Sequence, residues 1–472
     1  MSLAWPRSVR GRILVATAIL IGLLILISAG SWLWFRYTQP TISDPPPGIL
    51  SILTRPIPEG PDADLIRRGR YLATAGDCAS CHTRRGGRPF EGGLGLETPF
   101  GIIYSANITS DRATGIGSWS ADQFYRALHE GVAPGGKRLY PALPYPHFTL
   151  VRRQDTDAIL AFLKTVPAVN YTPPANRLPF PVNLRPSLIA WNAINFSPGE
   201  FRPNQARSAQ WNRGAYLVEG LGHCGSCHSP KSALGADLRS QAYRGAVINN
   251  TVAPDLTSNP RTGLGRWSAG EIVEYLKTGR NRFSNASGPM AEVVTYSTSL
   301  LSESDLLAMA AYLKSIAATS GGTDSFSTGS AAFRNDGLPE SSQRSISGPD
   351  PQAMRAGGAI FFDVCTACHL NRGRGQSKMF PPLAGSAVAQ QNDPTGVIRM
   401  ILAGARTAPT PTRPGFQSMP SFAWKLDDQQ VADVATYVRN SWGNRAPEVD
   451  GHQVAKLRSK LKLIKPQPRD RK

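Results

Sequence analysis

The chain has 472 residues, too many for one compact core and enough for about three domains of roughly 150 residues each. Its 52 Lys and Arg exceed its 33 Asp and Glu, a formal charge of +19. The basic residues gather toward the C-terminus and form no face interleaved with aromatic rings, which excludes a nucleic-acid-binding protein.

The first predicted element is a membrane span. Arg7, Arg10 and Arg12 precede 23 uncharged residues, Ile13 to Phe35. As a helix these reach roughly 35 Å, against a hydrocarbon core of about 30 Å. The arginines keep residues 1–12 in the cytoplasm, while Trp32, Trp34 and Tyr37 mark the outer interface. Everything beyond then lies outside, in a bacterium on the periplasmic side of the inner membrane. The competing reading is a signal peptide cut near Ser28-Ala29-Gly30, but the apolar run continues through Phe35 and favours retention.

Residues 36–58, with Pro45, Pro46 and Pro47, read as an extended spacer. Two repeated units follow, over 59–168 and 209–318. Arg68-Gly69-Arg70-Tyr71-Leu72 stands ahead of the first cysteines as Arg213-Gly214-Ala215-Tyr216-Leu217 stands ahead of the second pair. Further on, Thr114-Gly115-Ile116-Gly117-Ser118-Trp119-Ser120-Ala121 matches Thr262-Gly263-Leu264-Gly265-Arg266-Trp267-Ser268-Ala269 at an offset of 148 residues. This is an internal duplication, with Ser120 and Ser268 as N-caps.

Each unit closes on an amphipathic helix: Asp155 to Val166, Ser302 to Ile316, with Ser302 and Asp305 spaced as a capping box, and Asp427 to Trp442 in a third unit over 351–446. Phe162-Leu163-Lys164, Tyr312-Leu313-Lys314 and Tyr437-Val438-Arg439 place two packing residues inward and a basic one toward water. The Pro-rich connector 169–208 carries Trp191, Phe196 and Phe201 and is expected to lie on the protein. The Gly/Ser-rich linker 319–350 reads as flexible. Residues 447–472, with Lys456, Arg458, Lys460, Lys462 and Lys465, read as a disordered basic tail able to touch headgroups or an acidic partner. The fold class that results is all-α: three tandem domains behind a transmembrane helix.

All six cysteines fall into three units: Cys78-Ala79-Ser80-Cys81-His82, Cys224-Gly225-Ser226-Cys227-His228 and Cys365-Thr366-Ala367-Cys368-His369. Two thiols separated by two residues can add to the two vinyl groups of one haem, while the next residue's imidazole binds the iron. Disulfides or zinc sites leave the histidine after every second cysteine unexplained. Three covalently bound haem c groups follow, with His82, His228 and His369 as proximal ligands. A methionine thioether raises the potential and blocks small ligands. Met290 and Met419 occupy loops between a cysteine unit and its closing helix and are the expected distal ligands. Met309 and Met400 read as core residues.

The chain resembles the triple-haem cytochrome c subunits of membrane-bound bacterial dehydrogenases over most of residues 60–445. The most specific matches are Trp211 to Cys224 and Arg439-Asn440-Ser441-Trp442-Gly443-Asn444. The resemblance implies tandem class I cytochrome c domains, a separate catalytic subunit (quinoprotein, flavoprotein or molybdenum hydroxylase) and an exit of electrons to ubiquinone or a terminal oxidase. Nothing in the sequence resembles a flavin, quinone-cofactor or molybdopterin domain. The rival class is a self-sufficient haem enzyme, a peroxidase or sulfur-compound oxidase with an open iron; a membrane-anchored shuttle is a third.

The first unit departs from the other two. No methionine occurs between Met1 and Met290, and in the loop Tyr140-Pro141-Ala142-Leu143-Pro144-Tyr145, Leu143 stands where alcohol-dehydrogenase-type relatives carry Met. His147 is the expected replacement ligand. An open five-coordinate iron is the alternative, and His129, aligned with Lys277 near a helix end, is the poorer candidate.

Overall fold

The computed structural model describes residues 48–318 and 349–464, and near the N-terminus Val15, Thr17, Leu20, Ile21, Gly22, Leu23, Ile25 and Leu26. Two compact units divide the chain, Met1–Ser43 and Asp44–Lys472. In the first, the described residues are helical, and Leu20, Ile21, Leu23, Ile25 and Leu26 are exposed. The rest of the expected span 13–35 lies outside the described residues, as does most of the linker 319–350. Among the described residues no helix is long and apolar enough to cross a membrane.

The second unit is rich in helix. Three times an opening helix packs against a closing one: Ala63–Ala75 on Arg153–Leu163, Ala209–Ala215 on Glu303–Ser315, and Pro351–Ile360 on Asp428–Asn440. Each pair touches at a glycine. A Cβ on Gly69, Gly214 or Gly357 would fall 1.7, 1.9 or 2.1 Å from the carbonyl oxygen of Ala158, Ala308 or Asp433. No side chain fits there, and this close approach accounts for the glycine of both Arg-Gly repeats.

Ser120 and Ser268 cap Ala121–Glu130 and Ala269–Thr278 as expected, each completing a capping box with Gln123 or Glu271. Ser302 caps Glu303–Ser315 by accepting from the Asp305 amide, but no box closes. The Asp305 carboxylate is taken instead by Arg213, at 2.8 and 2.7 Å, and by the Tyr71 hydroxyl, at 2.7 Å. Asp155 repeats the arrangement, accepting from Arg68 and from Tyr216. Each aspartate thus holds an arginine of its own repeat and a tyrosine of the other. One apolar core runs across both repeats, from Phe90, Phe162 and Leu163 to Leu217, Leu221, Leu306 and Leu313. The third repeat has its own core around Phe361, Leu402, Val431 and Val438.

The structure is helix-rich, and to the helices it adds four short two-stranded antiparallel ribbons that the sequence reading did not include, pairing Gly95–Thr98 with Gly101–Tyr104, Val132–Ala133 with Lys137–Arg138, Ala246–Ile248 with Thr251–Ala253, and Ala405–Arg406 with Ser418–Met419. Asn249 and Asn250 turn the third ribbon with φ of 51° and 57°, the left-handed pair a tight hairpin requires. Four expectations change. The spacer 36–58 is not wholly extended, since Ile49–Thr54 is helical with Ile49 and Leu53 buried. Its apolar side chains drive it onto the first core.

The capping box expected between Ser302 and Asp305 is displaced by the ion pair described above. Arg439 does not face water. It is fully buried, donating to the carbonyls of Ala389, Asn392 and Pro447 at 3.2 Å each, and burial pulls its guanidinium down to about 10. Finally, the tail 447–472 is not disordered throughout. Gly451–Lys460 is a helix whose Val454 and Leu457 enter the third core. Its buried Arg458 donates to Asp428 and to the carbonyls of Ala423 and Leu426. The connector 169–208 does lie on the protein, Arg177 exchanging both backbone bonds with Ile102 and Leu188 buried.

Candidate functional site

The opening helices deliver the cysteine units. In the second and third repeats the helix widens, over Tyr216–Leu221 and Phe361–Cys365, just where the first cysteine follows. In the first repeat Gly76 and a left-handed Asp77 (φ 49°) make the same join. The units then fold as single helical turns, Cys78–Cys81, Gly225–His228 and Thr366–His369. One turn carries two thiols and an imidazole to the same side.

Each histidine is held in the same way. Nδ1 lies 2.7 Å from the Ala106 carbonyl in His82, 2.7 Å from that of Pro254 in His228, and 3.0 Å from that of Pro381 in His369. A carbonyl only accepts, so Nδ1 carries the proton and Nε2 keeps its lone pair, the tautomer an iron ligand needs. Burial lowers the pKa of all three imidazoles and keeps them neutral. It also pushes the thiols up, to about 12 for Cys78 and Cys224 and about 11 for Cys365.

The six thiols are unpaired. Among the described residues no three His, Cys, Asp or Glu side chains gather as a metal-ion cluster, and each unit presents two thiols and one imidazole. The donors fit haem c.

The first two turns are neighbours. A Cβ on Gly76 would lie 3.6 Å from the Cys78 sulfur and 3.7 Å from the Leu221 carbonyl, and the helix Pro289–Tyr296 of the second repeat packs on Cys78–Cys81. The ring of His223, one residue before Cys224, stands edge-on to Phe148 at 5.3 Å. Burial takes its pKa down to about 4. Sequence reasoning overlooked His223, although its place beside a cysteine unit was visible.

The expected distal residues do not sit as the sequence suggests. Met290 is not in a loop but in the first turn of Pro289–Tyr296, after Gly288, and packs against the shared core. Met419 sits in the ribbon strand Ser418–Met419. His147 is not free: its Nδ1 lies 3.0 Å from the Glu219 carbonyl and its Nε2 2.7 Å from a carboxylate oxygen of Asp237. Both ring nitrogens of His147 are therefore engaged by oxygen atoms of the second repeat. His147 belongs to the seam between the first two repeats, 3.0 Å from where a Cβ on Gly225 would lie. His129 stacks on Tyr125, with centroids 4.7 Å apart, and contacts the Thr149 hydroxyl.

Cysteine pairs followed by a histidine with a carbonyl-fixed tautomer define a c-type cytochrome, and the cytochrome c family model matches residues 354–442. The similarity extends well beyond that repeat. The chain is 40% identical to the gluconate 2-dehydrogenase cytochrome c subunit of Pantoea cypripedii, over 84% of this chain and 89% of that protein. It is 38% identical to the cytochrome c subunit of the quinone alcohol dehydrogenase of Gluconobacter oxydans (strain 621H), over 84% of this chain and 83% of the other. A nicotinate dehydrogenase subunit of Pseudomonas putida is 38% identical over 86% of this chain, which covers only 32% of that longer protein. The chain belongs to the family of dehydrogenase cytochrome c subunits.

Proposed function

We propose that this chain holds three covalently bound haem c groups in three tandem class I cytochrome c domains, behind an N-terminal transmembrane helix. It passes electrons from a separate catalytic dehydrogenase subunit to ubiquinone or a terminal oxidase. The observation that carries this reading is one donor arrangement repeated three times, two thiols and a carbonyl-fixed histidine on a single helical turn. Haem, when bound, supplies one-electron redox chemistry.

The chain's own residues hold and tune that group. His82, His228 and His369 present Nε2, and the thioethers of Met290 and Met419 are the soft distal donors of the second and third sites. The haem domains face the periplasm, and the span 13–35 anchors them to the inner membrane. The partner is a quinoprotein, flavoprotein or molybdenum hydroxylase, in keeping with relatives that serve gluconate, alcohol and nicotinate dehydrogenases.

Purification in mild detergent tests the reading. A large subunit carrying its own cofactor should co-purify and reduce the haems when given its substrate. Turnover of an organic or sulfur substrate by the isolated chain would support a self-sufficient haem enzyme instead, the reading that Leu143 in the first ligand loop favours.

A further inference from the structure

The first repeat, residues 59–168, contains no methionine, and besides His82 its histidines are His129 and His147. Every histidine and every methionine except Met1 lies among the described residues, so each candidate donor has a known place. Met290 and Met419 are assigned to the second and third sites in the function proposed above, and His452 is exposed in the helix Gly451–Lys460 of the third repeat. Met309 is buried in Glu303–Ser315 of the second repeat. Met354, Met379 and Met400 all belong to the third repeat, Met354 in Pro351–Ile360, Met379 exposed, and Met400 in Thr395–Ala403.

The first repeat's own imidazoles are engaged. His147 spends both nitrogens on Glu219 and Asp237, and His129 lies flat on Tyr125 in the helix Ala121–Glu130. His223, from the second repeat, has its Nδ1 3.2 Å from the Ser226 hydroxyl and its ring edge-on to Phe148. The repeat's two lysines, Lys137 and Lys164, are exposed. What the ligand loop offers is Leu143, packed against the core, an apolar group with no lone pair.

We infer that the first haem iron keeps an open axial position where the ligand loop presents Leu143, a site for a small neutral diatomic ligand of the carbon monoxide class. His147 is then a strut that ties the first ligand loop to the second repeat's haem turn. An apolar seat supplies no hydrogen-bond donor to a bound ligand, which suits carbon monoxide more than a polarised dioxygen. The inference rests on haem being attached at Cys78 and Cys81, so peptide mass at those residues is read on the same sample.

The experiment is carbon monoxide titration of the dithionite-reduced holoprotein, with electron paramagnetic resonance of the oxidised form. Wild type should take up about one carbon monoxide per chain and show a high-spin ferric signal. Leu143→Met should lose both and raise the potential of one haem. Met290→Ala should gain a second carbon monoxide site, while His147→Ala should leave the stoichiometry unchanged. A chain with haem on Cys78 and Cys81 that binds no carbon monoxide overturns the inference and leaves the haem reading standing. So does a His147→Ala protein that gains a high-spin haem, or a Leu143→Met protein that keeps the site. Absence of haem at Cys78 and Cys81 overturns both.

Discussion

The residues that carry the chemistry are close in sequence, and their supports are long-range. A Cys-X-X-Cys-His unit is legible without a structure because geometry forces its spacing. The acceptor that fixes each histidine is not: Ala106, Pro254 and Pro381 follow their histidines at different separations and contribute only a backbone oxygen, which any residue has. The same limit explains His147. Sequence places it four residues after Leu143, where it could reach an iron, but Asp237, the partner that captures it, lies 90 residues away. At this scale the account predicts that Met419→Ala lowers the potential of one haem and leaves the other two in place, because a soft thioether stabilises the reduced iron. A redox titration with three unchanged midpoints would remove Met419 from the ligand set.

At the scale of the element, the glycine contacts set the frame. A methyl group on Gly214 would stand 1.9 Å from the Ala308 carbonyl, so the two helices must separate and the apolar contact between them loosens. Gly214→Ala should cost about 3 kcal/mol in thermal or denaturant unfolding, the upper end for overpacking. At Gly415 a methyl group would meet nothing within 4 Å, and Gly415→Ala should change stability by less than about 0.5 kcal/mol. Equal effects of the two would mean that the crossing is not tight.

The C-terminal helix Gly451–Lys460 makes a second element prediction. Arg458 is buried against Asp428 and three carbonyls, those of Ala423, Leu426 and Ile464, and removing one partner of a buried pair leaves the other uncompensated. Arg458→Ala should destabilise the third repeat by about 3 kcal/mol or more, whereas a solvated tail would tolerate it. The sequence held the signal for this helix in Asp450 and Gln453, a capping box, and in Val454 and Leu457 three residues apart. The density of lysine and arginine concealed it. The capped helices were readable because their periods are local, whereas the glycine crossings depend on carbonyls distant in sequence. The ribbons were not readable, because each strand is only two to four residues long.

Over the whole molecule, the first two repeats are joined by a reciprocal seam. Tyr71 of the first bonds Asp305 of the second, and Tyr216 of the second bonds Asp155 of the first. Burial alone would raise the Asp305 carboxyl, but the Arg213 and Tyr71 bonds outweigh it and hold its pKa below the ordinary value. A depressed folded-state pKa gives stability that is present above the unfolded value, about 4, and lost as pH falls through the folded one. Asp305→Asn should therefore lower stability at neutral pH and flatten the loss seen in acid. An unaltered acid slope in the variant would detach the seam from this ion pair. The third repeat shares neither the tyrosine nor the aspartate, in keeping with its separate core.

The central claim is that all three cysteine units hold haem. Mass spectrometry of the mature chain, followed by peptide mapping, tests it most directly. The account predicts a mass increased by three haems, with thioether-linked haem on the peptides containing Cys78 and Cys81, Cys224 and Cys227, and Cys365 and Cys368. A mature chain in which any of these peptides carries free thiols, or whose haem leaves with acidified acetone, would contradict it.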